Sequence, residues 1–477
     1  MPQTTTKKQK MSPQTPANTA RPRRKLLLAD TIGQLLFQNR SSAIPHENAF
    51  NSHLSASTSG PLPRLSPTPT HVYQPPRRSS SSASTSSNTL TTESNRTTLD
   101  GTGDISAGSE RSNSSSSHSP SSCRIVSLSG TVSEQDVERL ATKYGLPSQM
   151  GLLDPSYRVF INDQGTAALS FKVLNKVAVI MGDPMCEPAQ IPSLLKGFKH
   201  YRRRKRWGMS VLGATGELAQ YASLSKKWTM IQFGNNRAFN PMTNDIIHET
   251  GGKRILTQNR QLLNPTKGGI TLDIYAPSLH GTDFKLEAQL VAIYDSWRVA
   301  RNTSGKLQAF ITEYDPFLMP SLMTYIYTRD PTGAINGFTA LRWLGAKGGY
   351  HVDPCIAAPG ARKGISDLLL FASMSYARQL GISYLSVGYE PSESLGEVSG
   401  MPAPIARLTD RIYRYTYHHL TFGGKKAYFD KFKPDSKQDS PVYVIFPSRI
   451  PEPRPVVAVA HAANISIRRL LFDKAKS

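Results

Sequence analysis

Apolar positions recur with a fixed period from about residue 124 onward and are sparse before it. "RRSSSSASTSSNTLTTESNRTT" and "GSERSNSSSSHSPSSC" bury too little apolar surface to offset the entropy of ordering. Residues 1–122 therefore read as a long disordered Ser/Thr/Pro-rich basic tail. One stretch inside it differs. In "RPRRKLLLADTIGQLLFQ", Leu27, Leu28, Ile32, Leu35 and Leu36 fall at helical spacing behind Arg21, Arg23, Arg24 and Lys25. That spacing predicts a basic amphipathic helix, lying on a membrane or docking on a partner.

In "VSEQDVERLATKYG", Ser133 caps a predicted helix whose first turn holds Glu134 and Asp136. "AALSFKVLNKVAVIMGDPM" predicts two strands joined by a turn at Asn175. "IPSLLKGFKHYRRRKRWG" predicts a helix with Ile191, Leu194, Leu195 and Phe198 on one face. A strand "MSVLGA", a helix Glu217–Leu224 and a strand "WTMIQFG" follow, then a basic helix "KRILTQNRQLLNPTKGG" that stops at Gly268-Gly269. A second series comprises a helix at 284–300, strands at 323–327 and 335–343, and a final strand "SPVYVIFP". Before that strand, "YHVDPCIAAPGARKGISDLLLFASMSYARQLGISYLSVG" reads strand, loop, helix, strand. Both series mix helices with hairpins and one crossover, so the fold class is α/β (α+β), one acyltransferase-like pattern occurring twice. The halves span 123–270 and 271–448, and 449–477 is a basic, weakly amphipathic C-terminal tail.

Charge narrows the partners. Residues 1–122 hold 13 Lys and Arg against 6 Asp and Glu, and residues 123–477 hold 44 against 28. The globular part is thus basic in its own right, which suits nucleic acid or an anionic membrane surface. Cys123, Cys186 and Cys355 are odd in number, widely spaced and without a CxxC, which argues against disulfides or a zinc knuckle. No run of about 18 apolar residues is present, and "MPQTTTKKQKMSPQ" lacks the apolar core of a secretory signal. The expected location is cytoplasmic, with peripheral membrane association.

Three basic constellations stand out. Lys199, Arg202, Arg203, Arg204, Lys205 and Arg206 lie between Tyr201 and Trp207, a density that can hold a nucleic-acid backbone or simply end a solvated helix. Lys253, Arg254 and Arg260 sit on the second basic helix, with Lys253 and Arg260 seven residues apart on one face. "FGGKKAYFDKFKP" offers Lys425, Lys426, Lys431 and Lys433, and its Phe and Tyr positions predict a segment pressed on the core with its lysines outward.

"VIMGDPM", "NRQLLNPTKGG", "VDPCIAAPGARKGISDLL", "LSVGYEP" and "FGGKKAYFDKFKP" resemble, in this order, the C-terminal domain of phosphatidylglycerol lysyltransferases. These are the multiple-peptide-resistance family, DUF2156, and the resemblance runs over roughly 125–447. It implies two fused GNAT-like acyltransferase folds that move an aminoacyl group from aminoacyl-tRNA, a co-substrate, to a lipid hydroxyl without a further cofactor or metal. The chain is most similar to free-standing fungal relatives that aminoacylate ergosterol, which favours the sterol 3-hydroxyl as acceptor and glycine as the transferred group.

Within the reaction that the resemblance implies, the residues' own positions and chemistry suggest roles. Asp353 is expected to end its strand at the mouth of the loop and to orient or deprotonate the acceptor, unless it only caps the turn at Pro354. His351 would share the base role or be structural. Lys363 would stabilise charge at the reacting ester or hold a tRNA phosphate, with Arg362 as a weaker second, and Asp367 reads as a first-turn helix acid. The basic groups Arg202, Arg203, Arg204, Lys205, Arg206, Lys253, Arg254, Arg260 and Lys431 would hold the tRNA. Phospholipid-modifying relatives carry an arginine where this chain has Ile356, so Ile356 is expected to line an apolar acceptor pocket. Transfer to phosphatidylglycerol, acetyl-CoA-dependent N-acetylation and an inactive tRNA- or membrane-binding adaptor are the alternatives. The loop "AAPGARKG" lacks the Gln/Arg-x-x-Gly-x-Gly/Ala spacing usual for acetyl-CoA.

Overall fold

A computed structural model describes residues 26–41, 124–128, 134–225, 227–302, 315–420 and 423–465, all within one compact unit. The rest of the expected N-terminal tail, Cys123, the Ser133 cap and the last residues of the C-terminal tail lie outside the described residues.

The first half opens with β1 (Arg124–Ser127), α2 (Glu134–Tyr144) and β2 (Arg158–Ile161). The predicted hairpin is β3 (Ala168–Leu174) and β4 (Val177–Met181), turning at Asn175 and Lys176, both at positive φ. Next come α3 (Ile191–Arg204), β5 (Gly208–Ala214), α4 (Gly216–Ser223) and β6 (Thr229–Phe239). In α3 the buried positions are Ile191, Leu194, Leu195 and Phe198, as its spacing predicts. α5 (Lys253–Leu263) ends before the Gly pair, because Pro265 holds Asn264 extended at ψ 123°.

The second half contains β7 (Thr271–Tyr275), α6 (Phe284–Asn302), β8 (Met323–Arg329), β9 (Ile335–Leu344) and β10 (Gly349–Ala357). It continues with α7 (Ile365–Gln379), β11 (Leu385–Pro391), β12 (Val398–Ser399), α8 (Ala403–His419), α9 (Gly423–Asp430) and β13 (Ser440–Phe446). Each half has one right-sized crossover between parallel strands, β4–α3–β5 and β10–α7–β11. The double acyltransferase pattern expected from the sequence is therefore present, but its boundary is not a clean cut at residue 270.

The strands form one sheet in the order β1-β2-β3-β4-β5-β13-β6-β11-β10-β9-β8-β7, with β12 beside β6. β6, from the first half of the sequence, pairs with β11 of the second, while β13 inserts between β5 and β6. The halves thus exchange strands, and neither closes its sheet alone.

Two segments expected to be tails are parts of the body. α1 (Leu28–Ser41) packs Ala29, Ile32 and Leu36 into the core around α7. At Gly33 a Cβ would stand 2.7 Å from the Ser375 carbonyl oxygen, so only glycine lets α1 approach this closely. Asp30 pairs with Arg378 at 3.3 Å, and Leu28 N–H donates to Glu249 Oε1 at 2.8 Å. Of the apolar stripe read as membrane-binding, Ile32 and Leu36 are thus buried against protein and Leu27 and Leu28 half-buried, while Leu35 stays exposed. At the other end α10 (Pro453–Ala462) buries Ala458 and Ala462 in the central core.

Candidate active site

β10 and β11 pair in parallel only at Tyr350–Leu385 and His351–Ser386, then part. The matching pair in the first half, β4 and β5, keeps five registered positions. Both parting strands are irregular here. β10 slips between Val352 and Cys355, around Pro354, which has no N–H to donate. β11 slips between Ser386 and Gly388, and Gly388 takes φ +80°, a conformation open to glycine. Asp353 accordingly sits inside β10, at its bulge, and not at the strand end beside the loop.

Four polar side chains converge on this opening. His351 is buried and its Nδ1 lies 3.4 Å from Ser386 Oγ, which donates to Asn236 Oδ1 at 3.0 Å. Its Nε2 is buried with no partner among the described residues. Arg342 is the cross-strand partner of His351 on β9 and is fully buried, with Nη2 donating to the Leu146 carbonyl at 3.1 Å. Lys425 comes from α9. A Cβ on Gly388 would stand 3.1 Å from His351 Cε1 and 3.8 Å from Lys425 Nζ, so the bare glycine keeps the space between them open. Lys425 is exposed along its stem, but its ammonium turns inward rather than outward as the sequence suggested.

Burial dominates the electrostatics. It raises the Asp353 pKa above the usual carboxylate value, against the pull of Lys425 and then Arg342. It lowers that of Lys425, opposed by Asp353 and Glu390. It drives His351 well below the usual imidazole value, reinforced by Arg342 and Lys425. A neutral imidazole with a depressed pKa is a poor proton acceptor, whereas Asp353 at the same opening is a carboxyl group that can accept a proton when ionised.

A salt-bridge network anchors the helix that carries Lys425. Arg237 on β6 meets Glu390 at 2.6 Å, Asp439 at 3.0 Å and Asp430 at 3.5 Å. Lys426 meets Glu390 at 3.1 Å and Asp430 at 3.3 Å. This ties β6, β11, α9 and the approach to β13 together.

The other predicted residues lie elsewhere. Lys363 is exposed and lines a cleft of about 430 Å³ with Gln258, Gln261, Leu262, Lys267, Gly268 and Arg362. Gln258 Nε2 donates to the Lys363 carbonyl at 3.0 Å, and Arg362 Nη1 to that of Lys267 at 2.8 Å. Asp353, His351 and Ile356 do not line this cleft or its neighbour of about 390 Å³. Ile356 is 4% exposed, in the core with Phe338 and Tyr389, so it is a packing residue and not the wall of an open pocket. Lys431 pairs with Asp367 at 2.6 Å, and Arg260 with Glu249 at 2.7 Å. Both are occupied rather than free for RNA. Lys253, Arg254, Arg203, Arg204, Lys205 and Arg206 are exposed. Arg202 is half-buried and donates to the Trp207 carbonyl at 2.9 Å. Tyr201 and Trp207 pack against Phe171 in the first-half core and are not a base-stacking platform.

Sequence reasoning missed Arg342, Arg237 and Gly388, and mis-aimed Lys425. Only Gly388 left a signal, an isolated glycine inside the strand-like run "YLSVGYE", which marks a bulge. Cys186 and Cys355 are free thiols, and no three His, Cys, Asp or Glu side chains cluster among the described residues as a metal site requires.

Two fused acyltransferase-like halves, with polar groups gathered where the second pair of parallel strands opens, define the class of protein. The sequence profile of the phosphatidylglycerol lysyltransferase C-terminal family matches residues 146–446, and the chain belongs to that family. It is 24% identical over 235 residues to an MprF-like domain protein of Mycobacterium tuberculosis, covering 47% of this chain and 46% of that one. It is 23% identical over 294 residues to the phosphatidylglycerol lysyltransferase of Bacillus subtilis, covering 60% of this chain and 32% of that one. The chain thus spans less than half the length of these curated relatives. Among solved structures, L-PGS from Bacillus licheniformis superposes with a TM-score of 0.53 at 19% identity, covering 70% of this chain and 97% of that one. The C-terminal DUF2156 domain of a lysylphosphatidylglycerol synthetase from Agrobacterium fabrum gives the same TM-score, 0.53, at 17% identity, covering 70% and 98%. No helix among the described residues is long and apolar enough to cross a membrane.

Proposed function

We propose that this protein transfers an aminoacyl group from aminoacyl-tRNA to a hydroxyl of a membrane lipid, with the 3-hydroxyl of ergosterol as acceptor and glycine as the transferred group. Membership of the family supports the reaction class. The observation that carries the site is the parting of β10 and β11 around Asp353, Gly388, His351, Arg342 and Lys425. The donor ester is already activated, so the reaction needs no cofactor. Exposed Arg203, Arg204, Lys205, Arg206, Lys253 and Arg254, with Lys363 at its cleft, supply cations for the tRNA backbone.

In this mechanism the acceptor hydroxyl gives its proton to the Asp353 carboxylate as its oxygen attacks the ester carbonyl. The new ester C–O bond forms, and the oxyanion is met by the Lys425 ammonium, with Arg342 adding positive charge behind it. Collapse breaks the bond to the ribose oxygen of the tRNA, which takes the proton back from Asp353. His351 stays neutral and holds its strand in place through Ser386. The protein would work at the cytoplasmic membrane surface.

The likeness to free-standing fungal relatives supports the sterol; Ile356, packed in the core, does not bear on the acceptor. Phosphatidylglycerol is the second reading, favoured by the name of the Bacillus subtilis relative and by the two cations beside Asp353. The test supplies full-length protein with tRNA charged with labelled glycine, lysine or aspartate, and vesicles containing both lipids. Labelled steryl ester, lost after ribonuclease treatment, is the expected product by mass spectrometry. Label in phosphatidylglycerol alone would select the second reading, and ribonuclease-resistant or acetyl-CoA-dependent product would end both.

A further inference from the structure

α1 and α10 each pack apolar residues into the core, leaving Leu35, Phe37 and Val456 exposed on their outer sides. Among the described helices α8 differs in setting three exposed apolar residues in one line. α8 buries none of its residues fully. Toward the body it turns Tyr413, whose hydroxyl lies 2.8 Å from both the Phe233 and Ser392 carbonyl oxygens, and Asp410, which accepts from Leu395 N–H at 3.1 Å. Away from the body Leu408, Ile412 and Tyr415 follow at i, i+4 and i+7, and are 55%, 58% and 38% exposed. That spacing sets them in one stripe along the helix.

Arg407, Arg411 and Arg414 repeat the same spacing one residue earlier and are also exposed. They border the stripe along its length. Arg414 pairs with Asp410. Arg407 and Arg411 have no ion-pair partner among the described residues. An apolar line edged by arginines is the pattern of a helix that lies in a bilayer interface, with its apolar side chains below the headgroups and its cations at the phosphates. An RNA backbone would engage the arginines and leave Leu408 and Ile412 in water.

We propose that α8 is the surface by which this protein docks on an anionic lipid bilayer. Its position suits the chemistry, on the reading above that the acceptor is a membrane lipid. Only three residues of sequence separate α8 from α9, which carries Lys425. Tyr413 holds α8 against β6 and against Ser392, next to the end of β11. Docking through α8 therefore brings the side of the molecule that holds β11 and α9 to the membrane.

The experiment measures flotation of the full-length protein with phosphatidylcholine vesicles, with and without phosphatidylserine, across a salt series. Two double variants are compared, Leu408→Asn with Ile412→Asn, and Arg407→Gln with Arg411→Gln. All four positions are exposed, so unchanged thermal unfolding is expected of both. The arginine variant should bind phosphatidylserine vesicles on the order of thirtyfold more weakly and lose most of the salt dependence. The asparagine variant should bind both compositions about tenfold more weakly. Transfer to a detergent-dispersed acceptor should be unchanged in both. Vesicle binding equal to the parent in both variants would overturn the proposal. So would loss of tRNA binding in the arginine variant with vesicle binding kept, since that would make α8 an RNA surface. A parent without transfer activity, whose vesicle binding still falls in both variants, would support docking while refuting the proposed reaction.

Discussion

Replacing Asp353 with Asn keeps the side chain's shape and removes both its charge and its ability to accept a proton at the reacting hydroxyl. If Asp353 is the base, kcat/KM should fall by about two to four powers of ten, or about 3–5 kcal/mol of transition-state stabilisation. Stability should move the other way. Burial raises the Asp353 pKa in the folded protein, so the folded state favours the protonated carboxyl. For a raised carboxyl the fold binds more protons than the unfolded chain, and stability is lost as pH climbs from the unfolded to the folded value. Asn carries no such cost. Asp353→Asn should therefore be at least as stable as the parent at neutral pH, with the difference growing as pH rises through that interval. The parent's rate should rise with pH as Asp353 loses its proton and fall as Lys425 loses its own, below the usual lysine value because burial lowers it. Asp353→Asn should lack the acid limb. Lys425→Met should cost a comparable factor, and the double variant little more than the worse single one, as for groups acting on one transition state. Steady-state transfer from charged tRNA, paired with chemical denaturation across pH, reads all of this. Asp353→Asn within threefold of the parent, or clearly less stable than it at neutral pH, would refute the assignment.

Leu36→Ala should destabilise the protein by about 2–5 kcal/mol, because Leu36 is fully buried between α1 and the body; unchanged thermal unfolding would mean that α1 is not docked in solution. Ile356→Arg should cost several kcal/mol for an unpaired buried charge and lower solubility along with every transfer activity; a well-folded variant that gains phospholipid transfer would return this position to the acceptor site. Arg237→Met leaves Glu390 and Asp439 without their shared cation, so about 2–3 kcal/mol of stability and much of the transfer rate should be lost, with partial recovery in Arg237→Lys.

Local periodicity carried most of the element list. The buried stripe of α3, the hairpin at Asn175 and the strand–loop–helix–strand run through α7 all depend on residues close in the chain, and they were legible there. Asp353 was legible as a lone carboxylate in a family block, though not as the residue of a bulge. Partners distant in the chain were not legible. "SPVYVIFP" reads as a strand whichever neighbours it has, and nothing local tells that β13 enters between β5 and β6. The stripe on α1 announces that an apolar face must be covered, but a bilayer and the flank of α7 satisfy the same pattern. Lysine has no periodic signature at all. Lys425 turns its ammonium toward Gly388, Lys431 pairs with Asp367 and Lys433 with Asp245 at 2.7 Å, within nine residues of one another, because backbone direction and distant carboxylates set where each long side chain goes. Side-chain charge is written in the sequence, whereas its partner is chosen by chain segments that meet only on folding.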